Sequence, residues 1–93
     1  MKNVQNFCRN FRINTLKLSL QDLEDSSSIN HKTISAFENH RSTNINHLTI
    51  YLKACSTIEQ KRKFIKGLNK SIFVDVGESN NDSIHNINNE YGD

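Results

Sequence analysis

The stretch "SLQDLEDSSSINHKTISAFENH", Ser19 to His40, decides how the rest of the chain is read, because it sets two segments of helical periodicity around a run of three serines. Ser19 is a strong N-cap, since its hydroxyl can accept one of the orphan amides two or three residues on, and Leu20 with Leu23 begins an apolar stripe. The spacing predicts a short helix over 19–26. Ser26-Ser27-Ser28 favours a turn, because serine side chains compete for backbone hydrogen bonds, and Ile29 reads as an apolar anchor leading out of it. Asn30 then caps a helix over 31–39. In that helix Ile34 and Phe37 point one way, whereas His31, Lys32, Ser35 and Ala36 lie on other faces. The outer surface therefore carries hydrogen-bonding groups, one cation and one methyl, with no acid before Glu38.

Outward from this stretch, Val4, Phe7, Cys8, Phe11 and Leu16 recur at helical spacing and predict an amphipathic first helix over 3–16, with Arg9 and Arg12 on its wetter side. After the polar break from His40 to Asn44, Ile45, Leu48, Leu52 and Cys55, with Tyr51 beside them, predict a fourth helix. Ser56-x-x-Glu59 and Thr57-x-x-Gln60 both fit a capping box opening a fifth. Its apolar side reads as Ile58, Ile65 and Leu68 with Phe64 adjoining, and Lys61, Arg62, Lys63 and Lys66 make the rest basic. Residues 71–76, "SIFVDV", switch to β-branched and aromatic types and predict a short strand in which Ile72, Val74 and Val76 share a face. The polar, acidic remainder, 77–93, predicts a disordered tail. The expected organisation is thus a helical domain over 1–70, a strand over 71–76 and the tail.

A chain of 93 residues has room for one small domain and little for a deep catalytic cavity. The net charge of +2 averages two unlike parts. Residues 1–76 hold all 12 Lys and Arg against six acids, whereas 77–93 hold four acids and no base. A basic body followed by an acidic tail suggests a polyanionic partner. Cys8 and Cys55 stand among apolar residues with no Cys-x-x-Cys pair, and read as small buried hydrophobes in a reducing compartment. No apolar run reaches membrane-spanning length and no signal-peptide core opens the chain, so a cytoplasmic protein without membrane attachment is expected.

Signatures of catalysis are missing: no glycine-rich phosphate loop, no H-E-x-x-H and no G-x-S-x-G occurs. His31, His40, His47 and His85 show none of the spacings of a metal site. An enzyme, a cofactor and a metal are accordingly not expected. The Lys61-Arg62-Lys63 run reads either as a solvated helix face or as a phosphate contact.

Taken together, Ser19-x-x-x-Leu23, Ile29-Asn30, Thr33-Ile34-Ser35, Phe37-Glu38-Asn39 and Arg41 resemble the helix-turn-helix of phage repressor and Cro proteins, the XRE family. The register holds without a gap from Ser19 to Arg41, and with Ile45, Leu48 and Leu52 the resemblance covers residues 4–68. It implies an all-α, five-helix, lambda-repressor-like domain. Three positions depart from the family pattern: Glu24 replaces a small alanine, Ser28 the turn glycine and His40 the glycine closing the recognition helix. Carried over residue by residue, the resemblance puts His31, Lys32, Thr33, Ser35 and Ala36 over base edges, and Ser19, Asn39, Arg41 and Asn44 on phosphates. Glu38 is structural in such proteins.

The function so implied is a sequence-specific regulator of transcription, a repressor that binds a palindromic operator in double-stranded DNA as a homodimer. The 71–76 strand either pairs with its twofold mate, making Ile72, Val74 and Val76 dimer contacts, or packs on its own helices. The alternative is an antitoxin, or a modulator from a phage or mobile element, that uses the same fold to bind a regulatory protein partner.

Overall fold

A computed structural model describes residues 2–79, which form five α-helices and no strand among the described residues. Helix α1 (Lys2–Phe11) runs into a π-helical segment (Arg12–Leu16) that ends at Lys17 in the left-handed conformation. Helix α2 (Leu20–Ser27) and helix α3 (His31–Glu38) follow, joined by Ser28, Ile29 and Asn30. A 3₁₀ turn (Ile45–His47) opens helix α4 (Leu48–Ala54), and helix α5 (Ile58–Ser79) is the longest at 22 residues.

Every helix sends at least one wholly buried side chain to a single core: Cys8 from α1, Leu23 from α2, Ile34 and Phe37 from α3, Tyr51 from α4 and Phe64 from α5. Phe64 meets Phe11 edge-on at 5.0 Å between centroids and stacks on Tyr51 at 6.1 Å. Burying large aromatics in such geometry is the main favourable term available to so small a domain. Both cysteines are free and buried, and burial pushes the Cys8 thiol up to about 12, so it behaves as a small hydrophobe.

Polar groups tie the core to the surface. Arg12, expected on the wet side of the first helix, is instead buried at 8% exposure. Its Nε and Nη2 each donate at 2.9 Å to the two carboxylate oxygens of Glu38, and its Nη1 donates to Leu18 O at 3.0 Å. The Tyr51 hydroxyl completes the set, donating to Glu38 Oε2 at 2.8 Å. Burial and the neighbouring carboxylate raise the Tyr51 pKa, keeping the phenol a donor. Helix periodicity alone cannot show this arrangement, because the partner that brings Arg12 inside lies 26 positions along the chain.

The C-terminal half of α5 corrects the expected strand: residues 71–76 are helical. Once a helix is under way each added residue gains a hydrogen bond without a new nucleation penalty, whereas β-propensity depends on a pairing partner. Tertiary contacts favour the same outcome. Gly67 lets α5 approach α1 so closely that a Cβ there would overlap the ring of Phe7. Two turns on, Asp75 Oδ1 accepts from the Asn3 amide (3.0 Å) and Asn3 Nδ2 (2.9 Å), and Oδ2 from the Val4 amide (3.1 Å). A carboxylate thereby caps the start of α1. On a helix Ile72 and Val76 share a side while Val74 points elsewhere, so the common face expected of a strand does not form.

The two expected apolar stripes hold in part. Leu48, Tyr51, Leu52 and Cys55 pack in or against the core, joined by Ile50, while Ile45 is 60% exposed. On α5, Phe64 is buried and Leu68 packs against the core, but Ile58 and Ile65 face outward. The disorder expected over 77–93 does not begin at 77: residues 77–79 instead close α5, where the helix already under way continues, and the rest of that stretch lies outside the described residues.

Candidate nucleic-acid interface

The turn between α2 and α3 is held by local hydrogen bonds. Ser19 Oγ accepts from the Asp22 amide (3.0 Å) while Asp22 Oδ2 accepts from the Ser19 amide (2.8 Å), a reciprocal capping box. These bonds, led by that of the Ser19 backbone, hold the Asp22 carboxyl below the usual carboxylate range. Ser28 closes α2 at φ 64°, and its amide donates to Glu24 O at 2.8 Å. Ser27 Oγ donates to Leu23 O and accepts from the Ile29 amide. The serines are therefore the turn itself, and Asn30 Oδ1 caps α3 by accepting from the Lys32 amide at 2.8 Å.

Helix α3 ends as firmly as it begins. His40 takes φ 66°, with its amide on Phe37 O (3.2 Å) and the Arg41 amide on Ala36 O (2.8 Å). This is a Schellman closure with histidine where glycine is cheaper. The His40 ring lies between Gln5 Oε1 (2.7 Å from Nδ1) and Asn6 Oδ1 (3.1 Å from Nε2), so α1 braces the strained residue. Buried Gln5 also donates through Nε2 to Ser42 O at 2.6 Å, which pins the loop after α3.

On this frame Lys32 and Thr33 are exposed at the start of α3, and Ser35 and Ala36 are half-buried one turn later. Arg41 and Asn44 are exposed on the loop beyond its far end. Neither Lys32 nor Arg41 makes a side-chain hydrogen bond or ion pair among the described residues. Three expected phosphate contacts have partners already: Ser19 in its capping box, Asn39 Nδ2 donating to Ser35 Oγ (3.0 Å), and Asn44 Oδ1 accepting from the Asn46 amide (3.1 Å). Each keeps a donor for a phosphate, the Ser19 hydroxyl, the Asn44 side-chain amide and the second Nδ2–H of Asn39.

The departure at Glu24 has a clear local role. Its Oε1 lies 2.7 Å from the His31 amide nitrogen and 2.7 Å from His31 Nδ1. The two bonds, the backbone one first, hold the Glu24 carboxyl below its ordinary range. A larger residue is accommodated here because it bridges α2 to α3 rather than being squeezed between them. The sequence signal for this pairing, an acid seven positions before a histidine across a turn, is too common to single it out in advance.

Among the described residues no cluster of His, Cys, Asp or Glu is arranged to hold a metal ion, and no helix is long and apolar enough to cross a membrane. No family model, curated protein or solved structure matches the chain.

Proposed function

We propose that this chain is a sequence-specific DNA-binding regulator of transcription, acting as a repressor, with α2, the serine turn and α3 forming a lambda-repressor-like helix-turn-helix. The observation that carries the reading is the pairing of a rigidly held α3 with uncommitted cations at both ends of its exposed side. The helix is capped by Asn30, closed at His40 and anchored through Glu38 to Arg12 and Tyr51. Lys32 and Arg41 stand ready for base edges and phosphates. In this reading His31, Lys32, Thr33, Ser35 and Ala36 face the major groove, and Ser19, Asn39, Arg41 and Asn44 meet the backbone.

A single small module gives limited specificity, so the reading includes a homodimer whose two α3 helices sit roughly 34 Å apart on a palindrome. With the strand replaced by helix, support for the dimer surface comes from Ile58, Ile65 and Ile72, spaced at sevens along α5 and 67%, 43% and 38% exposed. Charge at Ile65 (Ile65→Asp) is expected to convert a sedimenting dimer to a monomer.

The decisive experiment selects bound sequences from random duplex DNA and follows with gel shifts on the DNA flanking the gene. Lys32→Ala and Arg41→Ala are each expected to weaken operator binding about tenfold or more, Lys32→Ala with relaxed preference at one base pair and Arg41→Ala uniformly across sequences. With six or more phosphate contacts per dimer, log affinity should fall against log salt with a slope of roughly −5 or steeper. If neither substitution changes binding to any recovered DNA, the regulator reading fails. The second reading, an antitoxin or a phage or mobile-element modulator that binds a protein, draws its support from Phe73, 77% exposed on α5 and not among the residues proposed to meet DNA.

A further inference from the structure

Glu24 and His31 meet at the spot where α2 faces the tip of α3, and their geometry bears on what that tip can recognise. We propose that Glu24 locks the His31 ring in its Nδ1–H form, so that Nε2 is presented to the major groove as a hydrogen-bond acceptor that selects a base with an exposed amino group, adenine or cytosine. This deepens the DNA-binding reading of α3 and rests on it.

The proton assignment follows from the partner. A neutral imidazole carries one proton between two nitrogens, and the nitrogen facing an acceptor must hold it. Nδ1 lies 2.7 Å from Glu24 Oε1, hydrogen-bonding distance. That carboxylate is held ionised and has no proton to give, since the His31 amide donates to the same oxygen at 2.7 Å. The backbone bond matters as much as the ring bond. It fixes the oxygen relative to the first residue of α3, so the ring is oriented by a feature that does not depend on DNA.

The other nitrogen is then bare. No hydrogen bond from any described residue reaches Nε2, it is not a buried unsatisfied atom, and the side chain is 42% exposed. In the major groove adenine N6 and cytosine N4 are donors, whereas guanine O6 and N7 and thymine O4 are acceptors. A bare Nε2 attracts the first pair and is repelled by the lone pairs of the second. Lys32, the next residue along, carries only donors and favours guanine. Two adjacent side chains at the tip of α3 are therefore of opposite hydrogen-bonding sign, and Glu24 on another helix sets that contrast without touching a base. It is a positioning residue for specificity.

Two measurements test this on the full chain at pH 8, above the range of about 6.5 in which imidazole ordinarily titrates. The first reads the ¹⁵N shifts of the His31 ring in the protein without DNA. Protonated Nδ1 and bare Nε2 are expected; a proton on Nε2 overturns the inference whatever the protein binds. The second compares sequences selected from random duplex DNA by the wild type, Glu24→Ala and His31→Ala. The wild type is expected to prefer adenine or cytosine at one position. Glu24→Ala should lower that preference about tenfold and admit guanine there, as one hydrogen bond is lost and the ring is free to put its proton on Nε2. His31→Ala should abolish the preference while leaving the other positions unchanged. If the wild type selects DNA but both variants keep its preference at every position, the base-selection inference falls and the regulator reading stands. If the wild type selects no sequence at all, the regulator reading falls and takes this inference with it.

Discussion

The α2–turn–α3 unit and the C-terminal half of α5 are held in opposite ways. The first is fixed by short-range caps, by Ser19 with Asp22 and Asn30 with Lys32, and then clamped from below by the buried Arg12–Glu38–Tyr51 set. The second has few local restraints, leaves Ile72 and Phe73 outside, and is held mainly by what α1 offers it. The lesson is that a tight helix–turn–helix unit is built from bonds that close within a few residues, whereas the end of a long helix is placed by groups distant in sequence.

The largest expected effect breaks the clamp under the first region. Glu38→Ala leaves the Arg12 guanidinium buried without its carboxylate and should destabilise the domain by about 3–5 kcal/mol in urea unfolding. The double variant Arg12→Met, Glu38→Leu should recover most of that loss, because it removes both charges together. A Glu38→Ala change within about 1 kcal/mol of wild type would mean that the pair is not what steadies α3.

The second region is probed at Asp75, at Gly77 and at Gly67, just before it on the same helix. Gly67→Ala should cost about 1–3 kcal/mol despite alanine's better helix propensity, since the new methyl meets the Phe7 ring. Asp75→Ala should cost about 1 kcal/mol, the usual effect of losing a helix cap, and speed hydrogen exchange in the first turn of α1. The Asp75 carboxyl carries a pH signature as well. Burial alone raises its pKa, but the bonds from the Asn3 and Val4 amides and the Asn3 side chain outweigh it and leave a net lowering. A carboxyl whose folded pKa is depressed contributes stability above its unfolded pKa, near 3.9, and loses that contribution as pH falls through the lower folded value. Wild type should therefore lose stability between about pH 4 and the acid limit more steeply than Asp75→Ala. The smallest effect sharpens the contrast between the two glycines: nothing lies within 4 Å of a Cβ at Gly77, so Gly77→Ala should stabilise by about 0.5–1 kcal/mol.

What the sequence makes legible follows the same division. The capping serine and asparagine, the serine turn, and Ile34 and Phe37 as inward residues can be read because their causes lie within a turn or two. Arg12 cannot be placed from its own helix, since Glu38 draws it inside from 26 positions away. The fate of "SIFVDV" is likewise decided elsewhere, by the close approach at Gly67 and by amides 71 and 72 positions away. Local composition there speaks for a strand, and contacts with α1 outweigh it. Within the candidate site, the exposure of Lys32, Thr33 and Arg41 follows from their polar side chains, while the tie between Glu24 and His31 depends on how two helices approach.

The bond between Asp75 and the start of α1 has a bearing on biosynthesis. Helix α1 is synthesised well before Asp75, so its leading amides wait for nearly the last described residues to be covered, closing a loop of some 70 residues whose entropic penalty grows only slowly with length. A nascent or truncated chain can form the serine turn and its caps early, yet it holds α1 loosely, and α1 carries Gln5 and leads into Arg12, the side chains that brace the C-terminal end of α3. Chains that stop short of Asp75 should therefore show faster hydrogen exchange at the start of α1 and a looser closure of α3 at His40.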